Sequence, residues 1–217
     1  SLARLSQVDS RDIRKGRAAG DKWPLVVRAE EDYRRAIGPY LTIIEADAKT
    51  HIETIRNSAL IAKHRAGDDK PVLIVIDYLQ IMPPPQGVRL EGVKDRVDWN
   101  LSELRRLSRD LKSPVLVISS QNRESYKGNP KPTLAALKES GGIEYSADVV
   151  IALWRDKDES RRLTEDHGRM TVRVEARVLK NRNGELANIR LDFTPAWAMF
   201  EEEGRDDLDY FDALGEK

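Results

Sequence analysis

Cysteine is absent from the 217 residues, which excludes a disulfide frame and any thiolate metal site. Histidine is scarce as well: His51, His64 and His167 lie too far apart to suggest ligand spacing and read as solvated surface groups. No apolar run approaches the ~18 residues that a membrane helix needs, and no basic-then-apolar leader opens the chain, so the cytoplasm is the expected compartment. Neither sign of charge is in excess, because 37 Lys plus Arg balance 37 Asp plus Glu. That balance excludes a global basic field, and any nucleic-acid contact must come from local loops. Internal repeats and low-complexity tracts are also lacking. Position 1 is Ser rather than Met, which points to a piece of a longer polypeptide.

What is present is a chain long enough for one sizeable core, with 40% hydrophobic residues. Residues 72–77 (Val-Leu-Ile-Val-Ile-Asp) form an apolar run ending on an acid, the pattern of a strand buried on both faces of a parallel sheet. Val115–Ile118 and Val149–Leu153 repeat it, and Leu41–Ile44 reads as a shorter strand before them. Between these runs the period becomes helical. Thr50 with Glu53 predicts a capping box, Ile52, Ile55, Ala59 and Ala62 share a face, and Gly67 can close the helix. Val97, Leu101, Leu104 and Leu111 form a second apolar stripe that Pro114 ends. Strands alternating with helices are the signature of βαβ crossovers.

Toward the end the period falls to two: Val172, Val174, Ala176 and Val178 alternate with charged residues, as do Ile189, Leu191 and Phe193. Asn183-Gly184 between the runs predicts a tight turn with positive φ, hence an antiparallel hairpin appended to the parallel sheet. Pro83–Gly87 with its charged continuation to Lys94, and Lys127–Pro132, read as loops after the carboxyl ends of strands, where open α/β sheets bind ligands. From Glu201 to Lys217 an acidic tail is expected, beyond a domain covering 1–200.

Asp77 closes the most apolar strand, where a carboxylate needs a cation or strong donors. On the strand alone, a role toward Mg²⁺ and a role capping the next turn stand equal. The surrounding words separate them. Ile76-Asp77-Tyr78-Leu79-Gln80 is similar to the Walker B segment of DnaB-type replicative helicases, and Ser119-Ser120-Gln121-Asn122-Arg123 resembles their sensor motif. The stretch from Lys138 through Gly141-Gly142 to Asp148 looks like the family's DNA-facing loop, and Lys180-Asn181-Arg182-Asn183-Gly184 like its arginine-finger turn. With Arg4–Gly16 and Trp197–Phe200, the resemblance spans nearly the whole chain, with four motifs in the family's order.

The resemblance implies a RecA-like α/β core, a mostly parallel sheet flanked by helices with a C-terminal antiparallel hairpin. It makes Asp77 the Mg²⁺ partner through water, and Ser120 or Gln121 the group that senses the γ-phosphate of ATP. Many members carry Gln where this chain has Ser120, so Gln121 is shifted by one residue. Lys138, Glu139 and Gly141 are implied to lie at the backbone of single-stranded DNA, the cation and exposed amides meeting phosphate. Lys138 stands where Arg is frequent, which keeps the charge without the bidentate fork. Lys180 and Arg182, two apart on a strand, are implied to reach a neighbouring subunit's ATP, which in turn implies a ring-forming homo-hexamer. Primase and loader proteins are further partners that the family implies.

One part is missing from the sequence. A phosphate loop needs Gly-x-x-x-x-Gly-Lys-Ser/Thr between strand and helix. No window matches: Gly16–Trp23 has the wrong spacing, an Asp before its Lys and no hydroxyl after it. The glutamate that in the family activates water lies upstream of the part resembling Arg4–Gly16. The expectation is therefore a portion of an ATP-driven ring helicase, N-terminally truncated and inactive by itself. Two alternatives stand beside it: a non-catalytic RecA-like module for DNA or subunit binding, and a recombinase-like or clock-type ATPase.

Overall fold

The computed structural model describes residues 2–18, 20–47, 50–84, 87–120, 131–134, 141–155, 164–166 and 169–202. In chain order the helices are α1 (Leu2–Ser6), α2 (Ser10–Arg14), α3 (Trp23–Ala36), α4 (Ile52–Ala66), α5 (Val93–Leu111) and α6 (Gly141–Ser146). The strands are β1 (Ile74–Ile76), β2 (Val115–Val117), β3 (Val149–Trp154), β4 (Thr164–Asp166), β5 (Arg169–Asn181), β6 (Asn188–Thr194) and β7 (Met199–Glu202). They fall into two compact units, residues 40–150 and residues 1–39 with 151–217.

In the unit 40–150, β1 and β2 pair in parallel, with Ile74 opposite Val115 and Ile76 opposite Val117. Ile74 and Ile76 point into a core formed with Ile52 and Ala59 of α4 and with Val97, Leu101, Leu104, Leu107 and Leu111 of α5. The apolar stripe of α5 recurs every three to four residues, so one face of the helix enters the core and the charged face stays in water. Leu107 and Asn100 are 0% exposed. Asn100 is tolerated there because its Nδ2 donates to the Met82 carbonyl at 3.0 Å. The helix closes on Lys112 in the left-handed region (φ 47°), just before Pro114.

Three local expectations are overturned in this unit. Leu41–Ile44 forms no strand; the segment is exposed and without a ladder partner among the described residues. Thr50 does not cap α4. Its hydroxyl accepts the Asp47 amide and donates to the Asp47 carboxylate, while Glu53 pairs with His51 Nδ1 at 2.8 Å. The Asp47 turn competes successfully for the hydroxyl, and His51 stands at the cap position without a side-chain bond to the helix backbone. Finally, β1 is buried on one face only: Ile74 and Ile76 are buried, and Val75 is 54% exposed. Both α4 and α5 pack on the Ile74/Ile76 face, while Val75 and Leu116 on the opposite face of β1 and β2 are each 54% exposed. Gly67 does close α4, at φ 105°, as its lack of Cβ allows.

The other unit is built on a sheet ordered β3-β5-β6-β7, with β4 pairing β5. The expected hairpin is present, running antiparallel from Val172 opposite Phe193 to Arg177 opposite Asn188. It is extended by β7, which pairs with β6 and stacks Phe200 on Phe193 at 4.4 Å between ring centroids. Glu201 and Glu202, the first residues of the expected tail, end β7; residues 203–217 lie outside the described residues. The Ser10 amide donates to the Ala196 carbonyl at 2.8 Å, which ties α2 to the β6–β7 turn. Asp9 caps α2 by accepting the Arg11 amide, and the Arg11 guanidinium closes on the same carboxylate at 2.7 Å.

Candidate functional site

Parallel pairing places the carboxyl ends of β1 and β2 at one edge, and the residues following them meet there. Asp77 leaves β1 with its side chain exposed. The Ile118 amide donates to Ile76 O and the Leu79 amide to Ile118 O, both at 2.9 Å, so the chain after Asp77 crosses the end of β2. Leu79–Ile81 then forms a short 3₁₀ turn anchored by Leu79, which is buried in the core. The turn carries Gln80 onto the end of β2. Gln80 Nε2 donates to Ser119 Oγ at 2.9 Å and to Ser120 O at 3.3 Å, and its Oε1 accepts the Ser120 amide at 3.3 Å. Arg96 of α5 donates from Nη2 to the Gln80 carbonyl at 3.0 Å, which holds the turn from the helix side.

Asp77 and Ser120 therefore stand at the same sheet edge, as expected from the spacing of the two runs. Gln121 lies outside the described residues, as do Lys138 and Glu139. Gly141 begins α6, and the amide of the next residue, Gly142, donates to Asp98 Oδ1 of α5 at 3.1 Å. A Cβ on Gly142 would run into that carboxylate and press on Leu101 Cδ1. The glycine at 142 is thus required by the approach of α6 to α5, a requirement internal to the protein.

In the unit that carries the hairpin, Lys180 is half-buried near the end of β5 and Arg182 is exposed just beyond it. The tip differs from the expected Asn183-Gly184 turn. The pairing register centres the reversal on Arg182 and Asn183, neither of which has positive φ, and Gly184 has none either. Asn181 organises the tip instead: its Nδ2 donates to Glu185 O and its Oδ1 accepts the Asn183 amide, both at 3.3 Å. Gly184 is needed for proximity, since a Cβ there would stand 2.7 Å from Asn181 Nδ2. The side chain of Asn181 thus supplies the turn hydrogen bond that a positive-φ pair would have supplied.

The family described as DnaB-like helicase C terminal domain matches residues 1–202. The chain belongs to that family. Among its relatives, the replicative DNA helicase DnaB of Pasteurella multocida is 30% identical over 207 residues, covering 93% of this chain and 41% of that protein. The DnaB of Mycobacterium leprae is 32% identical over 170 residues, covering 74% of this chain and 26% of that protein. The chain thus spans less than half the length of the curated relatives it matches. Among solved structures, one described as an ATPase domain superposes with a TM-score of 0.77 at 21% identity, over 93% of this chain and 68% of that one. A DnaB-like replicative helicase described with its interactions with primase gives 0.76 at 22% identity, over 92% of this chain and 46% of that one. The shared fold is RecA-like.

In this DnaB-like domain the window 16–23 lies between two helices. Gly16 (φ 62°) follows the end of α2 and α3 begins at Trp23, so no strand precedes it. No group of three or more metal-ligating side chains occurs among the described residues. Asp77 is one exposed oxygen donor, which suits Mg²⁺ held mainly by water and nucleotide phosphates rather than by a protein cage. Three residues to which the motifs assign no role bind the pieces together: Gln80, Arg96 and Asp98. Gln80 lies within a recognisable word; Arg96 and Asp98 look like ordinary charged residues on the first turns of an amphipathic helix. No helix among the described residues is long and apolar enough to cross a membrane.

Proposed function

We propose that this chain is the portion of an ATP-driven, ring-forming replicative DNA helicase that lies downstream of the phosphate loop, and that it moves on single-stranded DNA as part of that longer protein. The observation that carries this reading is the shared edge of β1 and β2, where Asp77 and the Ser119–Ser120 backbone are brought together by Gln80. Asp77 serves Mg²⁺ through its water shell, and Ser120 with Gln121 responds to the γ-phosphate of ATP. Lys138, Glu139 and Gly141 face the DNA backbone. Lys180 and Arg182 reach the nucleotide of an adjacent subunit in a homo-hexamer, neutralising charge that develops during phosphoryl transfer. Primase is a partner by analogy with the structural relative described with it.

By itself the chain lacks a Gly-Lys-Ser/Thr loop in its sequence, so ATP turnover is expected at background level. Joined to an upstream segment carrying that loop, it should hydrolyse ATP and open a forked DNA substrate, and Asp77→Ala should abolish both. ATP turnover by residues 1–217 that Asp77→Ala removes would overturn the inactive-portion reading. An extended protein that hydrolyses ATP yet leaves the fork intact would move the assignment to a recombinase-like ATPase.

A further inference from the structure

Two residues of α5, Arg96 and Asp98, hold different segments of the unit 40–150. Arg96 Nη2 holds the Gln80 carbonyl at 3.0 Å, and Gln80 in turn holds Ser119 and Ser120. Asp98 Oδ1 holds the Gly142 amide at 3.1 Å, at the start of α6. Between and beyond them Val97, Asn100 and Leu101 are buried, so this part of the helix is set into the close-packed core. The carboxylate and the Cα of Gly142 are so close that a single added carbon would collide with Asp98.

The geometry points to the first two turns of α5 as a strut that couples the Gln80–Ser120 edge to the start of α6, with Asp98 as the positioning residue for Gly141 and Gly142. This rests on the proposed function, which makes one end the nucleotide-sensing edge and the other the DNA-facing loop. A shift of the Ser119–Ser120 backbone on loss of the γ-phosphate pulls on Gln80, and through Arg96 on α5. Asp98 passes the displacement to α6. Asp98 acts through the backbone it holds. Energetic coupling of this kind is demonstrated only when a change at one end alters the other.

Amide hydrogen exchange on residues 1–217 tests it directly, with Asp98→Ala, Asp98→Asn and Arg96→Ala compared. Asp98→Ala should raise exchange several-fold at Gly142–Tyr145 and also at Gln80–Met82, while Asp98→Asn, which keeps an acceptor oxygen, should stay near the parent. Arg96→Ala should raise exchange at both ends as well. Ile52→Val, which loosens the same core from α4, should not reproduce this pattern. If each variant's effect stays at its own end, or if Ile52→Val gives the same pattern, the strut is overturned. Anisotropy with a labelled oligo-dT separates the underlying reading. Asp98→Ala should weaken binding several-fold relative to Asp98→Asn. A parent chain that shows the exchange pattern but binds no oligo-dT would leave the strut standing and remove the DNA-facing role of the loop.

Discussion

The side chain of Gln80 and the backbone of Ser120 exchange two hydrogen bonds, each 3.3 Å long, so that an amide side chain continues the β1–β2 ladder where the strands have ended. The register passes through Ile118 to Ile76, and beyond it Asp77 turns outward and leaves the ladder position to Gln80. The Asp77 carboxylate and the end of β2 are thereby held at one edge by a residue that contributes no charge.

Gln80→Ala should lower stability by about 0.5–1.5 kcal/mol, the usual net worth of a hydrogen bond that solvent partly replaces. Urea denaturation measures it. A midpoint equal to the parent's would mean that Ser119 and Ser120 hold their positions without Gln80.

The one-sided core predicts a strong contrast between two leucines. Leu107→Ala, at a site with no exposure, should cost about 2–5 kcal/mol through lost burial and a cavity. Leu116→Ala, at a site 54% exposed on the open sheet face, should cost well under half as much. Equal losses in denaturation of residues 1–217 would show that the open face is covered in solution.

At the tip of the hairpin, Gly184→Ala should displace the Asn181 side chain and cost about 0.5–2 kcal/mol, the range for losing a side-chain cap. A double-mutant cycle with Asn181→Ala checks the cause, because the glycine substitution should cost little once the Asn181 amide is gone. Additive losses would place the requirement elsewhere in the loop.

Asp9 carries a pH dependence of known sign. The Arg11 side chain, and after it the Arg11 amide, hold the Asp9 carboxyl at about 2, below its ordinary 3.8. A depressed folded value means that the stabilisation of α2 is complete above the unfolded value and is lost as pH falls from about 4 toward 2. A carboxyl-carbon titration followed by NMR should show a midpoint near 2 that rises in Arg11→Ala; a midpoint near 3.8 in the parent would refute the pairing.

Much of the fold was legible in the sequence because periodicity depends only on local geometry. The stripe of Val97, Leu101, Leu104 and Leu111 could enter a core only from a helix, and the alternation from Val172 to Val178 only from a strand. The edge position of Asp77 and Ser120 followed from the same logic, since parallel strands end together. Order and wording of the motifs did the rest for the family. What needed the tertiary structure was each choice between competing partners. Thr50 turned to Asp47 instead of α4, Asn181 replaced the expected turn geometry at Gly184, and Leu41–Ile44 found no strand to pair with among the described residues. Arg96 and Asp98 acquired roles only through residues 16 and 44 positions away. A sequence states which groups can bond, but long-range pairing depends on how the helices pack against the sheet, and that is decided by the core as a whole.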